Sequence, residues 1–246
     1  YMPFRPEVPE EILIQANHIL GSGQTSLAKF LIIADQAGDK DLHSKDIPGF
    51  LKHVLERIDL SRDLHFQTKT TIDTLDYSGS GWNSGSKVIM ACRGPKLRTL
   101  GTVLPRIENA APIQNLKVAF PGVIAVKIDA YSDPQKTKSE IKALSDWIDS
   151  QDWKTQFPWI VLVDDPDFVS DHLNNFIWVT FTRINPSHDI SGVGSFVENK
   201  HWGCIGPLIL DARIKPHHAP VLETDKSVVS SVDELFKKGG PLEDWG

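Results

Sequence analysis

Short apolar segments that alternate with helical segments are the feature that most constrains this chain. The predicted strands are rich in apolar and β-branched side chains and lie at residues 27–34, 64–72, 87–92, 123–129 and 159–163. Apolar residues recur at helical spacing over residues 7–20, 48–57 and 135–150. This alternation predicts an α/β fold, built on a mixed, partly parallel sheet with flanking helices and long terminal loops.

The composition is that of a folded protein and excludes several other classes. Of 246 residues, 40% are hydrophobic and 24% are charged, which argues against disorder, a collagen-like repeat and a coiled coil. With 26 Lys+Arg against 32 Asp+Glu the net charge is −6, so we expect no nucleic-acid partner. No apolar run approaches the roughly 18–20 residues of a membrane span. Cys92 and Cys204 are too few for a disulfide scaffold, which favours a cytoplasmic protein.

The two ends of the chain suggest a larger parent protein. The sequence begins at Tyr1 instead of an initiator Met, and it stops at Trp245-Gly246 without a closing element. It contains no internal repeat and no obvious linker. We therefore expect residues 1–246 to form a single α/β domain of a longer protein.

Residues 174–184 are ambiguous by local pattern. Their aromatic and β-branched side chains favour a strand. A candidate cap at Asn174 and the recurrence of Ile177, Phe181 and Ile184 at helical spacing favour a helix. Local pattern supports the two assignments about equally.

A glycine-rich stretch at residues 78–86 is the first candidate site. Ahead of Lys87, its backbone amides would suit a phosphate group, so a phosphate- or nucleotide-binding domain that uses residues 78–87 is one alternative function. The stretch has neither a Walker pattern nor G-x-G-x-x-G, and it precedes a strand and not a helix. A mobile connection is the more ordinary interpretation.

Asp164 and Asp165 directly follow a predicted strand. Carboxylates at such a position often act as metal ligands or as acids and bases. They also suit capping of the next helix, which we favour.

A metal site is the third candidate. His201, Cys204, His217 and His218 are of the residue types that bind zinc. Their spacing argues against one site, because adjacent histidines rarely reach the same ion and no C-x-x-C or H-E-x-x-H pattern accompanies them. Cys204 also lacks the local pattern of a catalytic thiol.

Arg183 and Asp189 bracket a turn that contains Pro186. A guanidinium and a carboxylate at this spacing predict a bidentate ion pair that fixes the turn. The functional alternative is that Arg183 binds an anion.

The final third of the chain carries an ordered set of motifs. Residues 178–189 read W-x-x-x-T-R-x-x-P-x-x-D, and residues 206–215 read GPLILDARIK. The residues that define these motifs are Trp178, Thr182, Arg183, Pro186, Asp189, Asp211 and Lys215. With residues 18–29 and 66–79, they resemble the UbiD-type carboxy-lyases, the 3-octaprenyl-4-hydroxybenzoate decarboxylase family, in its long bacteroidete-type subgroup. The strongest motifs lie within 160–215, and in that family the segment around Trp178 is helical.

The resemblance implies that residues 1–246 are the C-terminal domain of a longer decarboxylase. Such an enzyme acts on aromatic or α,β-unsaturated carboxylic acids, as in ubiquinone or menaquinone biosynthesis. It uses prenylated FMN, supplied by a flavin prenyltransferase, with Mn²⁺ and K⁺ at the cofactor phosphate. The family's catalytic and metal-binding residues lie in the N-terminal cofactor-binding part, and no position here matches them. We therefore expect this chain alone to hold no catalytic residue, metal ligand or bound cofactor, and to be inactive.

The resemblance also implies two roles for this domain. It would form a wall of the pocket against its own N-terminal cofactor-binding domain, and it would supply contacts within a homo-oligomer. The pocket residues implied are Lys154, Phe157, Gly192, Val193 and Phe196, although Phe157-Pro158 replaces the usual aromatic-Thr pair. A non-catalytic oligomerisation module is the alternative from a different class.

Overall fold

The structure is a computed structural model that describes residues 10–36, 39–107, 112–219 and 225–245. Within these ranges the α-helices are α1 Glu11–Leu20, α2 Ile47–Arg57, α3 Pro134–Asp149, α4 Pro166–Asp171, α5 Leu173–Arg183, α6 Pro186–Asp189 and α7 Lys226–Phe236. The strands are β1 Phe30–Ala34, β2 Leu64–Thr71, β3 Ser84–Cys92, β4 Asn115–Phe120, β5 Val123–Lys127, β6 Trp159–Leu162, β7 Ile190–Gly192, β8 Ser195–Glu198, β9 His201–Cys204 and β10 Leu208–Asp211. Residues 7–9 of the first predicted helix and the two terminal residues, Tyr1 and Gly246, lie outside the described residues.

The larger sheet has five strands in the order β4-β5-β6-β10-β7. β5, β6 and β10 run parallel to one another, and the antiparallel strands β4 and β7 form the two edges. The parallel strands are buried along almost their whole length, as is usual when both faces of a sheet are covered. Their carboxyl ends meet at one edge of the sheet, which is where α/β proteins commonly bind ligands.

A smaller sheet has the order β1-β3-β2, with β1 parallel and β2 antiparallel to β3. β8 and β9 form a separate hairpin. Its turn residues Asn199 and Lys200 have φ angles of 49° and 68°, the left-handed conformation that suits a two-residue hairpin turn. The prediction of a mixed α/β fold with flanking helices is confirmed.

The central strand of the smaller sheet, β3, packs on both of its faces. Val88 and Met90 belong to an apolar cluster that also contains Trp159 of β6, so both sheets contribute to it. The alternate residues Ile89 and Ala91 belong to a second cluster with α1. Because side chains alternate along a strand, one short segment supplies apolar surface to two layers. Burial of such surface contributes about 25 cal/mol per Å².

Aspartate caps begin four of the helices. Asp46 accepts a hydrogen bond from the amide of Gly49, and Asp225 accepts one from Ser227. Asp133 caps α3, as its position before Pro134 predicts, and a proline also lies in the first turn of α2 and α4. Each cap is expected to contribute about 0.5–2 kcal/mol to stability.

Asp165 accepts a hydrogen bond of 3.1 Å from the amide of Phe168 and caps α4. The interpretation of this residue as a helix cap is confirmed.

The prediction of a strand from residue 27 is wrong in its first part. Gly23–Leu27 form a 3₁₀ turn, and the strand begins at Phe30. The hydroxyls of Thr25 and Ser26 donate to the backbone oxygens of Ser22 and Gly23, each at 2.6 Å. Such local side-chain bonds offer the backbone an alternative to strand pairing.

Two other parts of the fold differ from the sequence-based expectation. The prediction of long terminal loops is wrong for residues 190–211, which form four strands. Each of these strands has only three or four residues, which is too short to show a clear alternation of apolar and polar side chains. β4 was not predicted either, because it is an edge strand whose residues are mostly half-buried and therefore show a weak apolar pattern.

The ambiguous segment at 174–184 is helical and forms most of α5. Its buried residues Phe176, Val179 and Thr180 have the i, i+3, i+4 spacing of one helix face.

Among the described residues, no helix combines the length and the apolar character needed to cross a membrane.

Candidate functional site

A cleft with a volume of about 890 Å³ lies beside the carboxyl ends of β5 and β10. Its walls come from α3, residues 78–80, the turn at 185–189, β7 and the loops that follow β5 and β10. Its lining is rich in side-chain hydroxyls, from Ser78, Ser80, Tyr131, Thr137, Ser145, Ser187, Ser191 and Ser195. Because ligands of α/β proteins commonly bind at this edge of the sheet, the cleft is the candidate functional site.

Lys215 and Asp189 form an ion pair in the wall of this cleft. Nζ of Lys215 lies 3.4 Å from Oδ2 of Asp189, and it donates a hydrogen bond of 2.8 Å to the backbone oxygen of Asp211. The Lys215 side chain is only 4% exposed. Burial raises the pKa of the Asp189 carboxyl, and the charge of Lys215 opposes that effect. The pair therefore holds an amine and a carboxyl group in fixed positions at the cleft.

Arg213 joins three elements next to the cleft. Its Nη1 donates to the backbone oxygen of Asp129 at 2.8 Å and to Oε2 of Glu140 in α3 at 2.9 Å, while its other nitrogens bind the carboxylate of Asp211. Burial by itself lowers the pKa of Arg213, but the hydrogen bonds with Asp211 and Glu140 outweigh it and raise the pKa. The loop after β5, α3 and β10 are thereby held together.

Tyr131 lies against two of these cations. Its ring centroid is 5.8 Å from Cζ of Arg213 and 5.7 Å from Nζ of Lys215. Cation–π contacts at this distance are favourable and fix the orientation of the ring. Tyr131 therefore presents a positioned side chain to the cleft, which it lines.

The glycine-rich stretch reaches the cleft through an anchor at Ser78. Lys29 donates to the Ser78 hydroxyl at 2.6 Å and pairs with Asp76 at 2.8 Å, and Ser78 donates to Asp76 at 2.6 Å. Burial lowers the pKa of Lys29, against the effect of Asp76. Lys87 faces elsewhere, because its Nζ donates to the backbone oxygens of Ser26 and Ala28. The structure thus does not bring Lys87 to the cleft as a phosphate-binding cation.

The turn at 185–189 is fixed by hydrogen bonds to the smaller sheet. Ser86 of β3 donates to Oδ1 of Asn185, and its hydroxyl accepts a bond of 2.8 Å from the amide of Ser187. Asp189 accepts the amide of Asn185 at 2.7 Å. Pro186 begins the short helix α6, so these motif residues form one rigid wall of the cleft.

The predicted ion pair between Arg183 and Asp189 is wrong. Nη1 of Arg183 lies 3.1 Å from Oδ2 of Asp164, which also accepts the amide of Ile214. Asp189 pairs with Lys215 instead. The structural reason is that Asp164, which lies two residues after the end of β6, is close to the end of α5 in space, although it is 19 residues from Arg183 in sequence. Asp164 therefore binds a neighbouring side chain and does not cap α4.

Two further motif residues have structural contacts at α5. The Trp178 ring lies 5.6 Å from Cζ of Arg183, and the Thr182 hydroxyl donates to the backbone oxygen of Trp178 at 2.6 Å. These contacts hold the Arg183 side chain against its helix.

The implied pocket residues do not lie together. Gly192 lines the cleft, Val193 is buried in the core, and Phe196 is half-buried in β8. Lys154 lines a different cavity of about 400 Å³ and pairs with Asp149. Phe157 is 1% exposed and packs edge-on against Trp153 in the core. Their contact with a cofactor or substrate stays a prediction.

The described residues do not fit the metal end of the implied cofactor. Among them, no group of three or more His, Cys, Asp or Glu side chains is placed to hold a metal ion. His201 bonds to the backbone oxygen of Ser61, while His217 and His218 contact each other. Burial raises the pKa of the Cys204 thiol to about 12.

Lys29, Tyr131 and Arg213 were not predicted as site residues from the sequence. Tyr131 could have been found, because it follows a predicted strand, and ligands commonly bind at the carboxyl ends of parallel strands. Lys29 carried no local signal, since its partner Asp76 is distant in sequence. Arg213 lies in the motif at 206–215 close to Asp211, but its second partner, Glu140, is distant in sequence.

The cleft lies at the carboxyl ends of parallel strands of a mixed sheet, the place where α/β domains commonly bind ligands. Residues 5–92 match the family model of the 3-octaprenyl-4-hydroxybenzoate carboxy-lyase C-terminal domain. This part of the chain is thus similar to the C-terminal domain of the UbiD-type carboxy-lyases. The matched region contains the smaller sheet and lies upstream of residues 160–215, where we found the strongest motifs.

Curated relatives match nearly the whole chain. An uncharacterized protein of Chlamydia trachomatis serovar D is 33% identical over 232 residues, which are 92% of this chain and 37% of that protein. A Chlamydia pneumoniae protein that is named as a subunit of 4-hydroxybenzoate decarboxylase is 31% identical over 231 residues, 92% of this chain and 36% of that protein. The chain therefore spans little more than a third of the length of these relatives.

A solved structure of Sedimentibacter hydroxybenzoicus vanillic acid decarboxylase in open form is also similar. The likeness covers 69% of this chain and 43% of that chain, with 14% sequence identity and a TM-score of 0.31. A score this low carries no argument about this chain.

Proposed function

We propose that this chain is the C-terminal domain of a UbiD-type decarboxylase, which releases CO₂ from an aromatic or α,β-unsaturated carboxylic acid, as in quinone biosynthesis. The match of residues 5–92 to a carboxy-lyase C-terminal domain carries this proposal. The name of the Chlamydia pneumoniae relative, which identifies that protein as part of a 4-hydroxybenzoate decarboxylase, supports it.

In this proposal the domain forms one wall of the substrate pocket. The cleft supports that role, because it is lined by Gly192 and by polar groups that the fold holds in place. In this role the Lys215 amine beside Asp189 would attract an acid, and the Tyr131 hydroxyl would donate a hydrogen bond to it.

Prenylated FMN would supply the electron-accepting chemistry when bound. Because the described residues do not fit a metal at its phosphate, we assign that group to the N-terminal part of the longer protein and derive no step through it. The same proposal includes a flavin prenyltransferase as the source of the cofactor.

We further propose a cytoplasmic homo-oligomer. Val228, Val232 and Phe236 on α7 are exposed, and no described residue of that helix is buried, which supports a contact surface there. The free thiols of Cys92 and Cys204 support a reducing compartment. The same exposed helix also favours the second candidate function, a non-catalytic oligomerisation module.

CO₂ release by the full-length protein tests the proposal. Full-length protein loaded with prenylated FMN is incubated with benzoic, hydroxybenzoic and cinnamic acids, and the same protein without cofactor is the control. We expect cofactor-dependent CO₂ from at least one acid. Fully loaded protein that releases none from any of them would leave the oligomerisation module as the better account.

A further inference from the structure

A second cavity lies at the opposite edge of the larger sheet from the cleft. It has a volume of about 400 Å³, and its lining includes Pro158 and Pro207, which directly precede β6 and β10. The cavity therefore lies at the amino ends of these two strands. The loops that follow α2 and β3 contribute Ser61 and Arg98 to its walls. The role proposed above for the cleft makes no use of this cavity.

Arg98 brings a positive charge to this cavity without a carboxylate partner. Its Nη1 donates a hydrogen bond of 2.8 Å to the backbone oxygen of Leu55, near the end of α2. Among the described residues, the Arg98 side chain makes no other hydrogen bond and no ion pair. Burial lowers the pKa of Arg98, and the charge of Asp59 opposes that effect. Because a guanidinium has five N–H donors, most of those of Arg98 are available to an anion.

The other charged groups that line the cavity already have partners within the chain. Lys154 pairs with the carboxylate of Asp149 at 2.7 Å, and its Nζ also donates to the backbone oxygen of that residue. The Asp59 carboxylate accepts the amide and the hydroxyl of Ser61 at 3.0 and 2.6 Å. These two carboxylates would repel the second charge of a phosphate dianion. The lining therefore favours a singly charged anion, bound at the guanidinium.

The apolar part of the lining is aliphatic. It includes Leu97, Ile205 and Pro207, and no aromatic side chain lines the cavity in the part of the chain that the structure describes. Leu97 and Ile205 are 51% and 85% exposed, so they offer apolar surface that a ligand can cover. An aromatic ligand would find no ring to pack against here. The lining therefore favours a ligand with a hydrocarbon chain.

We infer that this second cavity binds an aliphatic monocarboxylate, whose carboxylate is held by Arg98 and whose hydrocarbon chain lies against Leu97 and Ile205. The planar fork of a guanidinium matches a carboxylate and binds it through two parallel hydrogen bonds. Since Nη1 is engaged with Leu55, the Nε and Nη2 groups are the pair that would donate. The same bond fixes the guanidinium before a ligand arrives, which reduces the entropy lost on binding. The site is separate from the cleft and does not depend on the proposed decarboxylation.

Ligand-observed NMR titration of the full-length protein tests this inference without turnover. The probes are hexanoate and its neutral analogue hexanamide, and inorganic phosphate is added as a competitor. We expect saturable binding of hexanoate that is at least about tenfold tighter than that of hexanamide. Phosphate should displace hexanoate only at a concentration at least about tenfold above that of the acid. Equal affinity for hexanamide, displacement by an equal concentration of phosphate, or no binding of hexanoate would overturn the inference.

Substitutions on either side of the sheet locate the bound acid. Arg98→Lys keeps the charge but loses the fork, and Ile205→Asp adds a negative charge at an exposed position, so each should weaken hexanoate binding at least about tenfold. Val197→Asp is the matched control for Ile205→Asp, because Val197 is 68% exposed and does not line the cavity. Lys138→Glu reverses a charge in the cleft and should change the affinity less than about twofold. Unchanged affinity in Ile205→Asp, or equal weakening by Val197→Asp or Lys138→Glu, would contradict the assignment to this cavity.

Discussion

Arg213 holds the carboxylate of Asp211 through two hydrogen bonds, from Nε to Oδ1 at 2.9 Å and from Nη2 to Oδ2 at 2.6 Å. Both side chains are 1% exposed. The same guanidinium also donates a hydrogen bond to Glu140. The positive charge of Arg213 is therefore paired with one carboxylate on β10 and one on α3. This fork geometry is specific to arginine, since a lysine has no second planar donor.

Removal of Arg213 should strongly destabilise the protein. Arg213→Met leaves the buried Asp211 without its partner, and the loss of one member of a buried pair typically costs about 3–5 kcal/mol. Lys142→Met is the matched control, because its pair with Asp146 is exposed and should contribute less than about 1 kcal/mol. Urea unfolding measures both changes. A loss below about 1 kcal/mol for Arg213→Met would contradict this role.

Gly101 is required by the packing of Phe157. A Cβ at Gly101 would lie 2.2 Å from Cζ of the Phe157 ring, which is buried in the core. Gly101→Ala should therefore reduce the free energy of unfolding by about 1–3 kcal/mol. Gly81→Ala serves as the control, since no atom lies within 4 Å of its Cβ position. Equal melting temperatures of the two variants would contradict this role, because they would show that the Phe157 ring can move away from the new Cβ without loss of stability.

His218 should make the protein less stable in mild acid. Burial, and then the positive charge of Lys215, lowers the pKa of His218 from 6.5 to about 4, and its buried Nε2 has no hydrogen-bond partner among the described residues. The unfolded chain therefore binds more protons than the folded protein between these two values. The contribution is fully present above about pH 6.5 and is lost as the pH falls toward 4.

His218→Asn tests this dependence, because an amide oxygen can accept the Lys215 amide as Nδ1 does. The melting temperature of the variant should fall less between pH 7 and about pH 4.5 than that of the wild type. His43→Asn is the control, an exposed histidine that also accepts a backbone amide. Parallel curves for wild type and His218→Asn would rule out His218 as the source.

Both thiols should be unreactive in the folded protein. Burial raises the pKa of Cys92 and of Cys204 to about 12, so the thiolate fraction at pH 8 is on the order of 10⁻⁴. A disulfide reagent such as DTNB should release no more than traces from native protein and two equivalents after denaturation in urea. A rapid native reaction of one equivalent would identify an accessible thiol and reverse this interpretation.

The sequence predicted elements whose pattern is local and complete. The helix behind the cap at Asp133 and the buried strand β6 follow from a capping residue and an apolar run. β4 was not predicted, because an edge strand is only half-buried and its alternation of apolar and polar side chains is therefore weak. The segment that became α5 satisfied both helix and strand patterns, so its structure depended on packing against the core.

The candidate site was less predictable, because its contacts are long-range. The sequence predicted an ion pair between Arg183 and Asp189. In the fold, Arg183 pairs with Asp164, and Asp189 pairs with Lys215. Lys29 reaches Ser78 across 49 positions of the chain. Local spacing contains no information about such pairs, which exist only after both sheets have formed.

The claim that this domain's cleft forms part of a decarboxylase active site is tested most directly by blocking the cleft. Ser195 lines it, whereas Val197 lies two residues along the same strand, is 68% exposed and does not line it. We compare kcat/KM for CO₂ release by cofactor-loaded full-length protein carrying Ser195→Trp or Val197→Trp. The account predicts a loss of at least about tenfold for Ser195→Trp and less than twofold for Val197→Trp. Full activity of Ser195→Trp, with cofactor loading equal to the wild type, would contradict it.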